Sequence, residues 1–168
     1  MKQLFSILMV LTLISGAFAQ TKDVVDIAIG SPDHTTLVAA VKAADLVATL
    51  KSKGPFTVFA PTNAAFDKLP AGTVTNLLKP ENKAQLAKIL TYHVVSGNLD
   101  AAAVVAAVKG GNGKAVVTTV SGGKLTVTLD KEKVKLTDES GNSAYVIVAD
   151  LKGSNGVVHV IDGVVLPK

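Results

Sequence analysis

The spacing of hydrophobic residues changes near the middle of the chain. In the first part, apolar residues recur every three or four positions, which is the period of an amphipathic helix. One such stripe begins at Leu37, and a second stripe that begins at Leu46 is rotated against it. This pattern predicts two short helices or a bend, between start signals at 31–33 and a stop signal at 54–55.

Short elements follow these helices. An apolar run rich in aromatic and β-branched residues predicts a strand at 56–60. Thr62 and Asn63 look like the cap of the next helix, because either side chain can accept a hydrogen bond from an unpaired first-turn amide. Further helices are predicted at 73–78 and at about 81–92, the second one opened by a proline and an acidic first turn.

Beyond Gly97, apolar and polar residues alternate, as they do in strands with one buried face. Turns that contain glycine, at 121–123 and 140–142, separate the strands. The last segment, 156–168, is more continuously apolar, which predicts a strand buried on both faces with Asp162 in a turn or bulge. We therefore predict a single α+β domain in which helices come first, a largely antiparallel sheet follows, and the early strand joins that sheet.

Residues 1–19 are typical of a secretory signal peptide. They contain one lysine, an apolar run at 4–14 and small residues up to Ala19, where we expect cleavage. The run is shorter than the roughly 20 residues that cross a bilayer, and we expect no membrane span elsewhere. Residues 20–168 then form one domain of an exported protein, either periplasmic or released as a secreted, extracellular protein.

The charged residues limit the classes of partner. The chain has 17 basic and 13 acidic residues, and every basic residue is lysine. Arginine, which grips phosphates with two parallel hydrogen bonds, does not occur, and few aromatic residues are available to stack on bases. The sequence therefore argues against nucleic-acid binding. The lysines are scattered along it, and we interpret them as a solvated surface.

Candidate catalytic residues do not fall into a working arrangement. His93 and Ser96 lie in the segment LTYHVVSG, but no nucleophile elbow presents a serine. His159 and Asp162 lie near the C-terminus, where a regular strand would turn their side chains to opposite faces. The histidines also lack the spacing of metal ligands. We therefore expect no catalytic residue, no metal site and no cofactor.

Two roles are open for His93. Helical spacing from Leu86 places it on the apolar stripe at the end of the helix at 81–92, which predicts a buried histidine that ties the helix end to the sheet. The alternative is a pocket near His93 and Ser96, which would make the protein an envelope carrier or a hydrolase of a small ligand.

Three segments resemble the fasciclin-type domain: FTVFAPTNAAF at 56–66, LTYHVVSG at 90–97 and NGVVHVIDGVVLP at 155–167. They occur in the same order with similar spacing, and the resemblance extends over about 24–167. It implies a fold in which an N-terminal helical part packs against a β-sandwich or wedge, with the first and last segments as neighbouring central strands. Four residues of these segments are expected to be structural: Thr62, Asn63, His159 and Asp162.

The resemblance also implies a function. Fasciclin-type domains are typically adhesion modules without catalysis or cofactor, so the expected partner is an extracellular or cell-surface protein or a polysaccharide. In animal members, a tyrosine–histidine pair linked with integrin recognition falls on Tyr92 and His93. A second adhesion motif falls on Asp150 and Leu151, with leucine where animal members have isoleucine. The identity of the partner and the oligomeric state stay open.

Overall fold

The structure is a computed structural model that describes residues 22–168. The predicted signal peptide lies outside the described residues. The helices are α1 (Val24–Ile29), α2 (Thr35–Ala43), α3 (Val47–Leu50), α4 (Asn63–Asp67), α5 (Thr73–Leu77), α6 (Lys83–Tyr92) and α7 (Ala101–Gly110), with short 3-10 helices at Pro32–His34 and Pro80–Asn82. The strands are β1 (Phe56–Pro61), β2 (Val94–Ser96), β3 (Lys114–Thr118), β4 (Lys124–Asp130), β5 (Lys133–Thr137), β6 (Ser143–Gly153) and β7 (Gly156–Ile161).

The strands form a mixed seven-stranded sheet in the order β2-β1-β7-β6-β5-β4-β3. β1 and β7 are parallel, with Phe56 opposite Gly156, and the other neighbouring strands are antiparallel. Gly156 permits this close pairing, because a Cβ atom there would lie 2.0 Å from the carbonyl oxygen of Phe56. The early strand therefore joins the later sheet, as the sequence predicts.

Two hydrophobic cores fix the positions of the elements. The first joins α1, α2 and α6 to β1 and β7, and Leu37, Leu86 and Leu90 belong to it. The second lies between α7 and the later strands and includes Tyr92 and Leu125. The C-terminal end of α6 therefore contributes side chains to both cores. Among residues 22–168, no helix has both the length and the apolar character needed to cross a bilayer.

The two short helices predicted from the rotated stripes are confirmed as α2 and α3. Asp45 lies between them with a φ of 58°, a left-handed conformation that an α-helix cannot contain. The amide of Leu46 donates to the carbonyl of Val41 at 3.1 Å and closes the turn. This turn rotates α3 relative to α2, which is why the apolar stripe changes direction along the sequence.

The predicted order of helices first and sheet after is wrong at one place, because α7 lies beyond Gly97, between β2 and β3. The carboxylate of Asp100 caps this helix by accepting a hydrogen bond from the amide of Ala103 at 2.8 Å. Val104 and Val108, four residues apart, are buried in the second core. Alanine favours the helix here, so the run of alanine and valine is helical although alternate positions could also form a strand.

Candidate functional site

Tyr92 is the last residue of α6 and is fully buried, with 0% of its surface exposed. Its hydroxyl donates a hydrogen bond to the carbonyl of Lys124 at 2.6 Å, and burial raises the pKa of this hydroxyl. Gly123 packs closely against the ring. A Cβ atom at this position would lie only 2.6 Å from the ring, so a glycine is needed here. Tyr92 thus ties α6 to β4, and in this conformation it has no surface for a partner to touch.

His93 follows Tyr92 and is 2% exposed. Its Nδ1 donates to the carbonyl of Ile89 at 2.8 Å, and its Nε2 accepts from the amide of Val165 at 3.3 Å. Its own carbonyl accepts from the amide of Phe59 at 2.8 Å. This arrangement uses the neutral ring with the proton on Nδ1, and burial lowers the pKa of His93 to about 4. His93 therefore joins the end of α6 to β1 and to the C-terminal segment.

His159 in β7 forms a second buried histidine site with the opposite tautomer. Its Nε2 donates to the carbonyl of Leu99 at 2.7 Å, and its Nδ1 accepts from the amide of Asp150 at 3.3 Å. The ring stacks on Phe59 with 5.7 Å between the ring centres. Phe59 thus contacts both sites, through its amide at His93 and through its ring at His159.

Asp150 and Leu151 lie at an irregular part of β6, where the register to β7 shifts. Asp150 has a φ of 60°, and its carboxylate accepts a hydrogen bond from the amide of Ala101 at 2.8 Å. Ala101 begins α7, so the carboxylate lies at the positive end of that helix. Leu151 is half-buried and packs against the first core. Asp150 therefore holds β6 to α7, Leu151 anchors β6 on the first core, and Asp150 itself is exposed.

The candidate catalytic residues are not joined to one another. Ser96 is exposed on β2, and the carboxylate of Asp162 accepts from the amide of Tyr145 at 2.8 Å. Both nitrogens of His93 and both nitrogens of His159 bond to backbone atoms. The structure assembles no acid–base group from these residues.

A small apolar cavity of about 40 Å³ lies beside His93, and Ser96 does not line it. Sites for small organic ligands are typically several hundred Å³ in volume. The cavity beside His93 is therefore smaller than a usual ligand site and does not join His93 to Ser96. Among the residues that the structure describes, no cluster of three or more histidine and acidic side chains could hold a metal ion.

Thr62 and Asn63 have different partners. Thr62 caps α4, since its hydroxyl accepts from the amide of Ala65 at 3.2 Å. Asn63 instead reaches the start of α2, where its carbonyl oxygen accepts from the amide of Thr36 at 3.0 Å and its amide donates to the carbonyl of Pro32 at 3.1 Å. Asn63 therefore stabilises the first turn of an earlier helix, α2, and sequence spacing does not indicate this contact.

Sequence reasoning missed two polar side chains that connect distant segments. The carboxylate of Asp138 accepts from the amides of Asn142 and Leu166, at 2.8 and 2.9 Å. The side chain of Asn155 accepts from the amide of Val24 at 3.0 Å and also donates to backbone carbonyls at the end of α3. An aspartate before a Ser-Gly-Asn turn is a recognisable turn signal. The contact with Leu166, 28 residues away, has no local signal.

The comparison with known proteins decides the family. Residues 32–167 match the family profile of the fasciclin domain. The chain belongs to the fasciclin domain family. The protein sll1483 of Synechocystis sp. is 54% identical over 144 residues, covering 86% of this chain and 73% of that protein. Immunogenic protein MPB70 of Mycobacterium bovis is 40% identical over 142 residues, covering 82% of this chain and 65% of that protein.

A solved structure shows the same fold. The fasciclin domain pair of the insect cell adhesion molecule fasciclin I superimposes with a TM-score of 0.63, covering 77% of this chain and 43% of that chain. The sequence identity is 24%, so this similarity concerns the fold alone. The resemblance predicted from the three sequence segments is thereby confirmed at the level of family and fold.

Proposed function

We propose that this fasciclin domain protein is an exported, non-enzymatic adhesion or interaction module that binds a cell-surface, matrix or envelope partner. The observation that carries the proposal is the family match over 32–167, combined with a site whose histidine nitrogens are all bonded to the backbone. The name of the insect relative, a cell adhesion molecule, supports the class of function. Export rests on residues 1–19, which have the composition of a signal peptide.

In this proposal the Tyr92–His93 pair acts indirectly. Both side chains are buried, so their contribution is to hold β1, β4 and the C-terminal segment in place. Direct contacts belong to exposed residues on the surrounding strands and turns, among them Asp150. We interpret the helices that pack against β1 and β7, together with the later strands, as the wedge-shaped fold that the family resemblance implies.

The test is retention of the purified domain, residues 20–168, on envelope fractions, on polysaccharide prepared from culture medium, and on extracellular matrix protein. Retention on one of these materials, lost after thermal unfolding of the domain, is the expected result. The variant Tyr92→Phe is the matched control, because it removes only a buried hydroxyl and should keep most of the binding. A folded domain that binds none of these materials would contradict the proposal.

A further inference from the structure

The outward face of β3, β4 and β5 gathers lysines that are scattered in the sequence. Each strand alternates, so Leu125, Val127 and Leu136 point into the second core. The intervening positions point away from that core. Four of them are lysines: Lys114, Lys124, Lys133 and Lys135.

The strand register fixes how close these lysines lie. Thr128 on β4 is paired with Lys114 on one side and with Lys135 on the other, so two strand spacings, about 10 Å, separate the two lysines. Lys133 lies two residues from Lys135 on the same strand, about 7 Å away. These distances are comparable to the Debye length of roughly 8 Å at physiological salt, so the lysine charges reinforce one another.

The face has an excess of positive charge. Asp130 is the acidic residue among its outward positions, and its carboxylate accepts a hydrogen bond from the hydroxyl of Tyr145. Lys135 lies over the ring of Tyr145 at 5.9 Å. In the described part of the chain, none of the four lysines takes part in an ion pair, whereas Lys51 and Lys83 do. The lysine charges therefore remain available to a partner.

Hydroxyl groups fill the positions between the lysines. Thr126, Thr128 and Thr137 lie in the same outward rows, and Ser143 continues one row onto β6. Hydroxyls both donate and accept hydrogen bonds, so they match the hydroxyl groups of a sugar chain. Val116, which is 56% exposed, adds an apolar spot on β3.

We propose that this lysine face, the outward side of β3, β4 and β5, binds an acidic polysaccharide chain. Charge complementarity selects a polyanion, and the hydroxyls between the lysines favour carboxylated sugars over nucleic acid. The face contains no arginine to grip phosphates and no set of aromatic side chains on which bases could stack. The inference rests on the proposed adhesion function and names the chemical class of its partner.

The experiment compares two triple variants of the 20–168 domain for binding to alginate, a polyuronate. One variant removes three lysines from the face: Lys114→Gln, Lys133→Gln and Lys135→Gln. The matched control removes three exposed lysines elsewhere and so has the same net charge: Lys22→Gln, Lys42→Gln and Lys79→Gln. Circular dichroism melting of both variants checks that the fold is retained.

The wild type should bind alginate, and this binding should weaken as the salt concentration is raised. It should not bind neutral dextran. The face variant should bind about tenfold more weakly, since each exposed charge contact contributes roughly a factor of two to three. The control variant should bind like the wild type. Equal weakening of both variants would overturn the inference, as would tighter binding to a short DNA duplex than to alginate.

The proposed adhesion function can survive failure of this inference. A wild-type domain that is retained on envelope or matrix protein but shows no binding to alginate would overturn the lysine face as the site and leave the adhesion function in place. A folded wild-type domain that binds neither alginate nor any envelope or matrix material would overturn both proposals.

Discussion

Acidification should destabilise the protein through His93. In the neutral ring, Nδ1 donates to the carbonyl of Ile89 and Nε2 accepts from the amide of Val165. A second proton would have to occupy Nε2, where it would face the amide proton of Val165 inside the core. Burial therefore lowers the pKa of His93 from 6.5 to about 4.

The size of the effect follows from the difference between the folded and unfolded pKa values. Between these values the unfolded chain binds a proton at His93 and the folded chain does not, so the free energy of unfolding decreases as the pH falls. Each pKa unit corresponds to about 1.4 kcal/mol. The shift from 6.5 to about 4 therefore removes about 3 kcal/mol of stability over this range, and the full stability is present above the unfolded pKa.

Urea unfolding of the wild type and of His93→Gln at several pH values measures this contribution. The useful range is about pH 7.5 to 5, which covers most of the His93 effect before carboxyl groups in general take up protons. Glutamine stays neutral, so only the wild type should show the steep loss of stability. His34→Gln is the control, because burial also lowers the pKa of His34 and its removal should leave the larger His93 contribution unchanged.

Parallel pH profiles of the wild type and His93→Gln would refute the reasoning. Should the variant fail to fold, an NMR titration of the wild-type ring gives the same answer. The resonances of His93 should not titrate around pH 6.5, and a midpoint there would show that the ring is solvated.

Three further substitutions test the contacts between segments by chemical denaturation. Asn63→Ala should lower the free energy of unfolding by about 1 to 2 kcal/mol, because the Thr36 amide loses its partner. Thr62 caps a different helix, so the effects of Asn63→Ala and Thr62→Ala should add in the double variant; a double variant no less stable than either single variant would argue against separate roles. Tyr92→Phe should lower it by about 1 to 2 kcal/mol, because the Lys124 carbonyl loses its donor; unchanged stability with lost partner binding would assign Tyr92 to direct contact instead. Asp138→Ala should lower it by about 3 kcal/mol or more, since several amides lose one carboxylate, and a loss below 1 kcal/mol would contradict this network.

Local sequence patterns were sufficient to predict several secondary-structure elements. The apolar run at 56–60 corresponds to β1, and helical spacing from Leu86 correctly places His93 on a buried face. These patterns arise from the fixed periods of helix and strand, and the period can be recognised within a short segment without knowledge of its partners. α7 was not predicted because its Ala-Val run fits both periods; alanine propensity, the cap by Asp100 and packing against β3 and β4 together select the helix.

The burial of Tyr92 was decided by the tertiary structure. Spacing along α6 indicates one apolar stripe, and Leu86 and Leu90 on that stripe contact the first core. Tyr92 points elsewhere, into the second core, and most other members of that core lie more than ten positions away along the chain. A helical pattern describes the faces of one helix and carries no information about a second core at its end.

The lysine face shows most clearly what the sequence determines and what the tertiary structure determines. The sequence by itself determined that alternate residues of 124–136 face outward, because a strand turns successive side chains to opposite sides. Only the tertiary structure decided that Lys114 and Lys135 share one row, because this depends on the register between β3, β4 and β5. Periodicity is a property of the local backbone, whereas register is fixed by turns and by packing between segments far apart in the chain.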